Sequence, residues 1–164
     1  MAVGPHYTAE VFDTLELQKT SLPLKEENGV SNLMYLDFIL NGVSLKEYLR
    51  CEEATVRATL FRGQYRPPVR DFLTRLKQFK PSLPDSREEI YVCPFCADLA
   101  CGSVTVQMVM TDDAVVWKNF GYQGSEEKWT PLEPALEFRF QKAAYFSSFY
   151  GLAPQFKALV NDQE

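Results

Sequence analysis

The chain has 164 residues, of which 46% are hydrophobic, with a net charge of -5 and a pI near 5.0. That length suffices for one sizeable core and is short for two, so one domain over residues 1–164 is the expectation. The negative field argues against nucleic acid or an anionic membrane as partner and favours a neutral or basic protein surface. No apolar run reaches the roughly 20 residues of a membrane span, and Met1 to His6 lacks the charged and apolar regions of a signal peptide. A cytoplasmic location is expected, in which cysteines stay reduced.

Residues 1–32 mix polar positions with short apolar pairs around the turn-forming Glu26-Glu27-Asn28-Gly29, and are the least predictable part, readable as a peripheral arm. Leu33 to Leu40 is apolar except at Asp37 and is bounded by Asn32 and Asn41-Gly42, which predicts a buried strand. Ser44-Leu45-Lys46-Glu47 has capping-box spacing and starts a short helix to about Arg50. Thr55 to Phe61 is rich in β-branched and apolar residues and is assigned as a strand. After Arg66-Pro67-Pro68, the residues Val69, Phe72, Leu73, Leu76 and Phe79 recur at helical spacing, with Pro68 suited to a first helical turn. Pro81 to Glu89 reads as a polar loop leading to the short strand Ile90-Tyr91-Val92. Val104 to Met110, Thr111-Asp112-Asp113 and Ala114 to Trp117 predict a β-hairpin, with Phe138-Arg139-Phe140 as an added edge strand. Gln141 to Tyr150 predicts a last helix, stopped by Gly151 and Pro154.

Chemistry-bearing side chains concentrate in one place. Three of the four cysteines fall in Cys93-Pro94-Phe95-Cys96-Ala97-Asp98-Leu99-Ala100-Cys101-Gly102. Two cysteines separated by two residues form a chelating pair for zinc, and Cys101 adds a third ligand; Cys51 or His6 would have to supply the fourth. Cys93-Pro94-Phe95-Cys96 also has the letters of a dithiol active site, similar to the glutaredoxin tetrapeptide. No basic residue lies between Glu89 and Lys118 to stabilise a thiolate, and only about one helical turn fits before Gly102. The third reading is that these cysteines pack as small apolar side chains, and it is preferred; no metal, cofactor or catalytic residue is expected.

Zinc-deaminase, Cys-His and phosphate-loop patterns are absent from the sequence. Arg62, Arg66, Arg70, Arg75, Lys77 and Lys80 form a basic stretch, read first as the solvated face of a helix and second as an anion site.

Leu36-Asp37-Phe38-Ile39-Leu40-Asn41-Gly42-Val43-Ser44-Leu45, the C-P-x-C-x-D-L-x-C-G of residues 93–102, Val116-Trp117-Lys118-Asn119-Phe120-Gly121-Tyr122 and Phe138-Arg139-Phe140 together resemble a family of small uncharacterised bacterial proteins. The likeness spans about two thirds of the chain and carries no activity with it. The chain departs from that family at Ala97 and Ala100, where glycines are expected.

Aromatic residues make up 13% of the chain. Phe120, Tyr122 and Trp129 surround Gly121-Tyr122-Gln123-Gly124-Ser125, read as a glycine-rich loop, and are the expected binding residues. The competing reading places Trp117 in the core and Trp129 over a hydrophobic edge. The combined expectation is an α+β domain with a mostly antiparallel sheet and two or three packed helices. It would act as an acidic protein-binding module, such as an immunity or accessory protein for a basic partner. A thiol oxidoreductase at Cys93 and Cys96, or a zinc protein using Cys93, Cys96, Cys101 and Cys51, is the alternative.

Overall fold

The computed structural model describes residues 11–50, 58–62, 67–95, 101–124, 128–152, 154–156 and 159. Its longest feature lies largely in the segment least predictable from sequence. Strands β1 (Leu15–Glu26) and β2 (Gly29–Leu40), each of 12 residues, pair antiparallel without a break from Leu15↔Leu40 to Glu26↔Gly29. Period-two alternation fixes this register: Leu15 and Leu17 lie opposite Leu40 and Phe38, putting the apolar set on one face. The hairpin tip, residues 27–32, is exposed. Asn41 and Gly42, both at positive φ, turn the chain into strand β3 (Val43–Ser44) and helix α1 (Leu45–Leu49). The predicted Ser44 cap is present, its Oγ accepting from the Lys46 amide at 3.2 Å.

Helix α2 (Pro67–Gln78) buries Val69, Phe72, Leu73 and Leu76, as its helical spacing predicts. A 3₁₀ turn at Pro84–Ser86 leads to strand β4 (Arg87–Val92), so the expected polar loop ends earlier than its composition suggests. Strands β5 (Ser103–Met110) and β6 (Ala114–Gln123) form the expected hairpin around Thr111–Asp113, where the Ala114 amide donates to Thr111 Oγ1 at 3.1 Å. Strand β7 (Trp129–Pro131) pairs with one end of β6 and strand β8 (Glu137–Gln141) with the other. Gln141 caps the final helix α3 (Lys142–Ser147), its Oε1 accepting from the Ala144 amide at 2.7 Å. The fold is α+β with antiparallel sheets.

Two sheets, β1-β2-β3 and β4-β5-β6 with β7 and β8, are joined by single bridges into a hydrogen-bonded ring. Ala58 bridges Val92 of β4, and Arg62 bridges Tyr35 of β2, so residues 58–62 link the sheets on one side. These bridges are the described part of the strand expected at Thr55–Phe61; its first residues lie outside the described set. On the other side Asp13 bridges Phe140 in parallel, its amide donating to the Arg139 carbonyl at 2.8 Å.

Aromatic rings fill the interior. Trp117, at 0% exposure, stands edge-on to Phe38, Phe140 and Tyr145 at 5.4, 5.4 and 6.1 Å, and its Nε1 donates to Tyr145 Oη at 3.3 Å. Phe61 contacts Phe72 of α2 at 4.7 Å and Phe156 at 5.8 Å. Offset and edge contacts of this kind add to the burial of each ring, itself worth about 2–3 kcal/mol.

One expected loop is a strand. Gly121, Tyr122 and Gln123 belong to β6, paired with Thr105, Val104 and Ser103 on one side and with Pro131, Thr130 and Trp129 on the other. Gly121 is there for space: a Cβ would stand 2.3 Å from Trp129 Cε3 and 2.8 Å from the Thr130 carbonyl. Glycine inside a paired strand marks close approach, which its sequence surroundings alone present as a turn.

Candidate functional site

The segment after β6 doubles back through Leu132 to Leu136, with a cis peptide at Glu133-Pro134, before joining β8. The fold leaves a cleft of about 250 Å³ between this segment and the middle of β6. Phe120, Trp129, Pro131, Leu132, Ala135 and Leu136 give it apolar walls, and Lys118, Asn119 and Glu137 complete its lining. Ala135 and Glu137 are exposed, so one carboxylate stands at the mouth beside a small side chain.

Of the three expected binding residues, the cleft brings together two. Phe120 is 3% exposed and reaches the cleft only as part of its floor, packed against Phe138 at 6.0 Å. Trp129 is half-buried, lining the cleft while also lying on Gly121 and against the Arg87 guanidinium, 3.9 Å from the ring centroid. Tyr122 is not in the cleft; its hydroxyl donates to the Cys101 carbonyl at 3.4 Å, and its ring covers Gly102, where φ is +86° and a Cβ would meet Tyr122 Oη. Leu132 and Leu136 were not singled out from sequence, since isolated leucines among prolines carry no periodic signal.

The cysteine segment is only partly within the described residues. Cys93 follows β4 at 5% exposure, and Cys101 is exposed, while Cys96, Cys51 and His6 lie outside the described residues. Among the described residues no group of three His, Cys, Asp or Glu side chains could hold a metal ion. The fold brings a cation to the Cys93 backbone from a distant part of the chain: Arg62 Nη1 donates to the Cys93 and Pro94 carbonyls at 3.3 and 2.9 Å. Their demand for a donor holds the guanidinium on the backbone.

Two further members of the basic stretch take structural tasks, while Arg70 and Lys80 are exposed and Arg66 lies outside the described residues. Arg75 grips Glu88 through Nε at 2.8 Å and Nη2 at 3.3 Å, and Glu88 also accepts from the Ser82 amide, Ser82 Oγ and the Glu89 amide. A buried carboxylate satisfied in this way anchors α2 to β4. Lys77 lies over the Tyr150 ring, 4.6 Å from its centroid.

A second buried carboxylate interrupts the apolar run of β2. Asp37, 4% exposed, accepts from Tyr91 Oη at 2.5 Å, Ser44 Oγ at 2.6 Å and the Phe38 amide at 2.8 Å. Burial, together with the Asp37 charge, pushes the Tyr91 hydroxyl well above the usual tyrosine range. Lys46 spans the Tyr35 and Tyr91 rings at 5.2 and 5.7 Å. This network ties β2, β3 and β4 together.

Comparison of the chain with family models, curated proteins and solved structures finds no match. Among the described residues, no helix is long and apolar enough to cross a membrane.

Proposed function

We propose that the protein is an acidic protein-binding module that receives an apolar side chain of a basic partner in the cleft between β6 and the Leu132–Leu136 segment. The observation that carries this reading is the juxtaposition of an apolar hollow of about 250 Å³ with the exposed Glu137 of its lining. A desolvated apolar anchor surrounded by complementary charge is the arrangement that concentrates binding energy at protein interfaces. The net charge of -5 adds long-range attraction for the same class of partner. An immunity or accessory role fits these properties. The thiol-redox alternative draws less support, since Cys93 is 5% exposed.

Ala135 is the best probe, because it is exposed and lines the cleft without filling it. A photo-crosslinking residue at Ala135 should join a discrete partner, and one at Asp112, in the turn before β6, should not. Ala135→Arg should keep the wild-type melting temperature and abolish the adduct, while Glu137→Lys should weaken association most at low salt. Equal crosslinking from both positions, or an adduct that survives Ala135→Arg, would remove the cleft from the interface.

A further inference from the structure

The face of β4, β5 and β6 that carries Arg87, Ser103, Thr105, Gly121 and Gln123 holds polar groups that the protein-binding reading does not use. Arg87 is 2% exposed, Ser103 and Thr105 are 0%, and Gln123 is 2%. Arg87 Nε and Nη2 donate to Thr105 Oγ1 at 3.0 and 2.8 Å, and Nη2 also reaches the Thr105 carbonyl at 3.1 Å. Thr105 Oγ1 in turn donates to Gln123 Oε1 at 3.1 Å, and Ser103 lies directly across the strand pair from Gln123. The buried cation is therefore held by neutral oxygens. Asp85 acts on it only from beyond ion-pairing distance, and burial pulls the guanidinium down to about 10 against that attraction. Buried charges are ordinarily paired, and buried hydroxyls ordinarily bonded. Here Ser103 Oγ, fully enclosed, has no hydrogen-bond partner.

We propose that Arg87, Ser103 and Gln123, roofed by Trp129, form a binding site for the carboxylate of a small organic acid. Arg87 Nη1 is the end of the fork that Thr105 leaves unused, and the enclosed Ser103 hydroxyl has no acceptor. Gln123 Oε1 is occupied by Thr105, so its amide NH₂ is the third donor. One cation matches a monoanion, which selects a carboxylate over a dianionic phosphate. The roof is flat, since the Trp129 ring lies on Gly121 and against the guanidinium. It is also light: Trp129 begins a three-residue strand that, among the described residues, pairs on one side only. Lifting that ring gives entry without disturbing the core.

The site does not depend on the protein-binding reading, and its test uses no partner. Acetate, propionate and benzoate are titrated into the full chain at constant ionic strength, with chloride and inorganic phosphate as comparison anions. Melting temperature, calorimetric binding and the Trp129 indole NMR signal are followed. At least one carboxylate should bind saturably at one per chain, shift the Trp129 signal and, at a hundred times its Kd, raise the melting temperature by about 5–10 °C. Ser103→Ala removes an unbonded hydroxyl, so it should leave the ligand-free protein at least as stable while weakening the carboxylate about tenfold. Arg87→Gln should abolish binding; should that variant not fold, Ser103→Ala carries the test alone. Chloride-like behaviour of all three acids, tighter binding of phosphate, or unchanged affinity in Ser103→Ala would each overturn the proposal and leave Arg87 as a packing clamp.

Discussion

Replacing Tyr91 by phenylalanine removes one hydroxyl and nothing else from the contact between β4 and β2. That hydroxyl donates to Asp37 Oδ1 at 2.5 Å, and Asp37 is 4% exposed, so water does not replace it. A hydrogen bond to a charged group contributes about 1.5–3 kcal/mol. Asp37 keeps the Ser44 hydroxyl and the Phe38 amide, which argues for about 2 kcal/mol here, or about 4–8 °C in melting temperature for a chain this long. The pH dependence checks the setting of that hydroxyl, buried beside the Asp37 charge. Burial first, and the Asp37 charge second, raise Tyr91 well above its unfolded value near 10. Below about pH 10 both states are protonated and the contribution is complete. Above it the unfolded chain sheds a proton that the fold retains, so wild-type stability falls by about 1.4 kcal/mol per pH unit, a slope that Tyr91→Phe lacks. Tyr145, also raised by burial, titrates in both proteins and cancels. Urea unfolding at pH 8, 9, 10 and 11 should show the deficit of Tyr91→Phe shrinking from about 2 kcal/mol to under about 1 kcal/mol. A deficit that stays constant from pH 8 to 11 would refute the account of the Asp37–Tyr91 contact.

Trp129→Ala strips the cover from Gly121 and Arg87 and should lower stability by about 2 kcal/mol in urea; an unchanged midpoint would mean that the ring does not pack there. Gly121→Ala should destabilise by about 1–3 kcal/mol and shift Trp129 fluorescence, because the methyl group would meet the indole and the Thr130 carbonyl. Cys101, exposed, should be alkylated at least about tenfold faster than buried Cys93 in the native protein; the reverse order would revive a reactive Cys93. Cys51→Ser should cost at most about 1 kcal/mol, and chelators should not move the melting temperature. Unfolding by chelator with loss of one zinc per chain would establish a structural metal site instead.

Helix α2 and the β5–β6 hairpin could be read from the chain because each repeats its own period: Val69, Phe72, Leu73 and Leu76 at helical spacing, and Val104, Val106 and Met108 at alternate positions. Strand β1 could not, since beyond Leu17 it carries Gln18, Lys19, Thr20 and Ser21, whose regularity comes from pairing with β2. The single bridges at Ala58, Arg62 and Asp13 leave no periodic trace at all. For the candidate cleft, Trp129 was visible as an aromatic beside glycines. Its other walls depend on how Leu132 to Leu136 folds back, a long-range property. Arg87 was hidden by its polar neighbours Ser86, Glu88 and Glu89; only strand pairing reveals that this residue is enclosed.

The ring of strands has seams of very unequal strength. Twelve residue pairs zip β1 to β2, whereas the described residues join the segment before β1 to β8 by one bridge at Asp13–Phe140, and β2 to the linking segment by one bridge at Tyr35–Arg62. Heat or force therefore meets a structure shaped like a book: the hairpin is one cover, the β4–β8 sheet the other, and the aromatic interior the pages. Amides that bridge the seams, such as Asp13 and Leu36, should therefore exchange with solvent by local opening of the covers rather than through global unfolding.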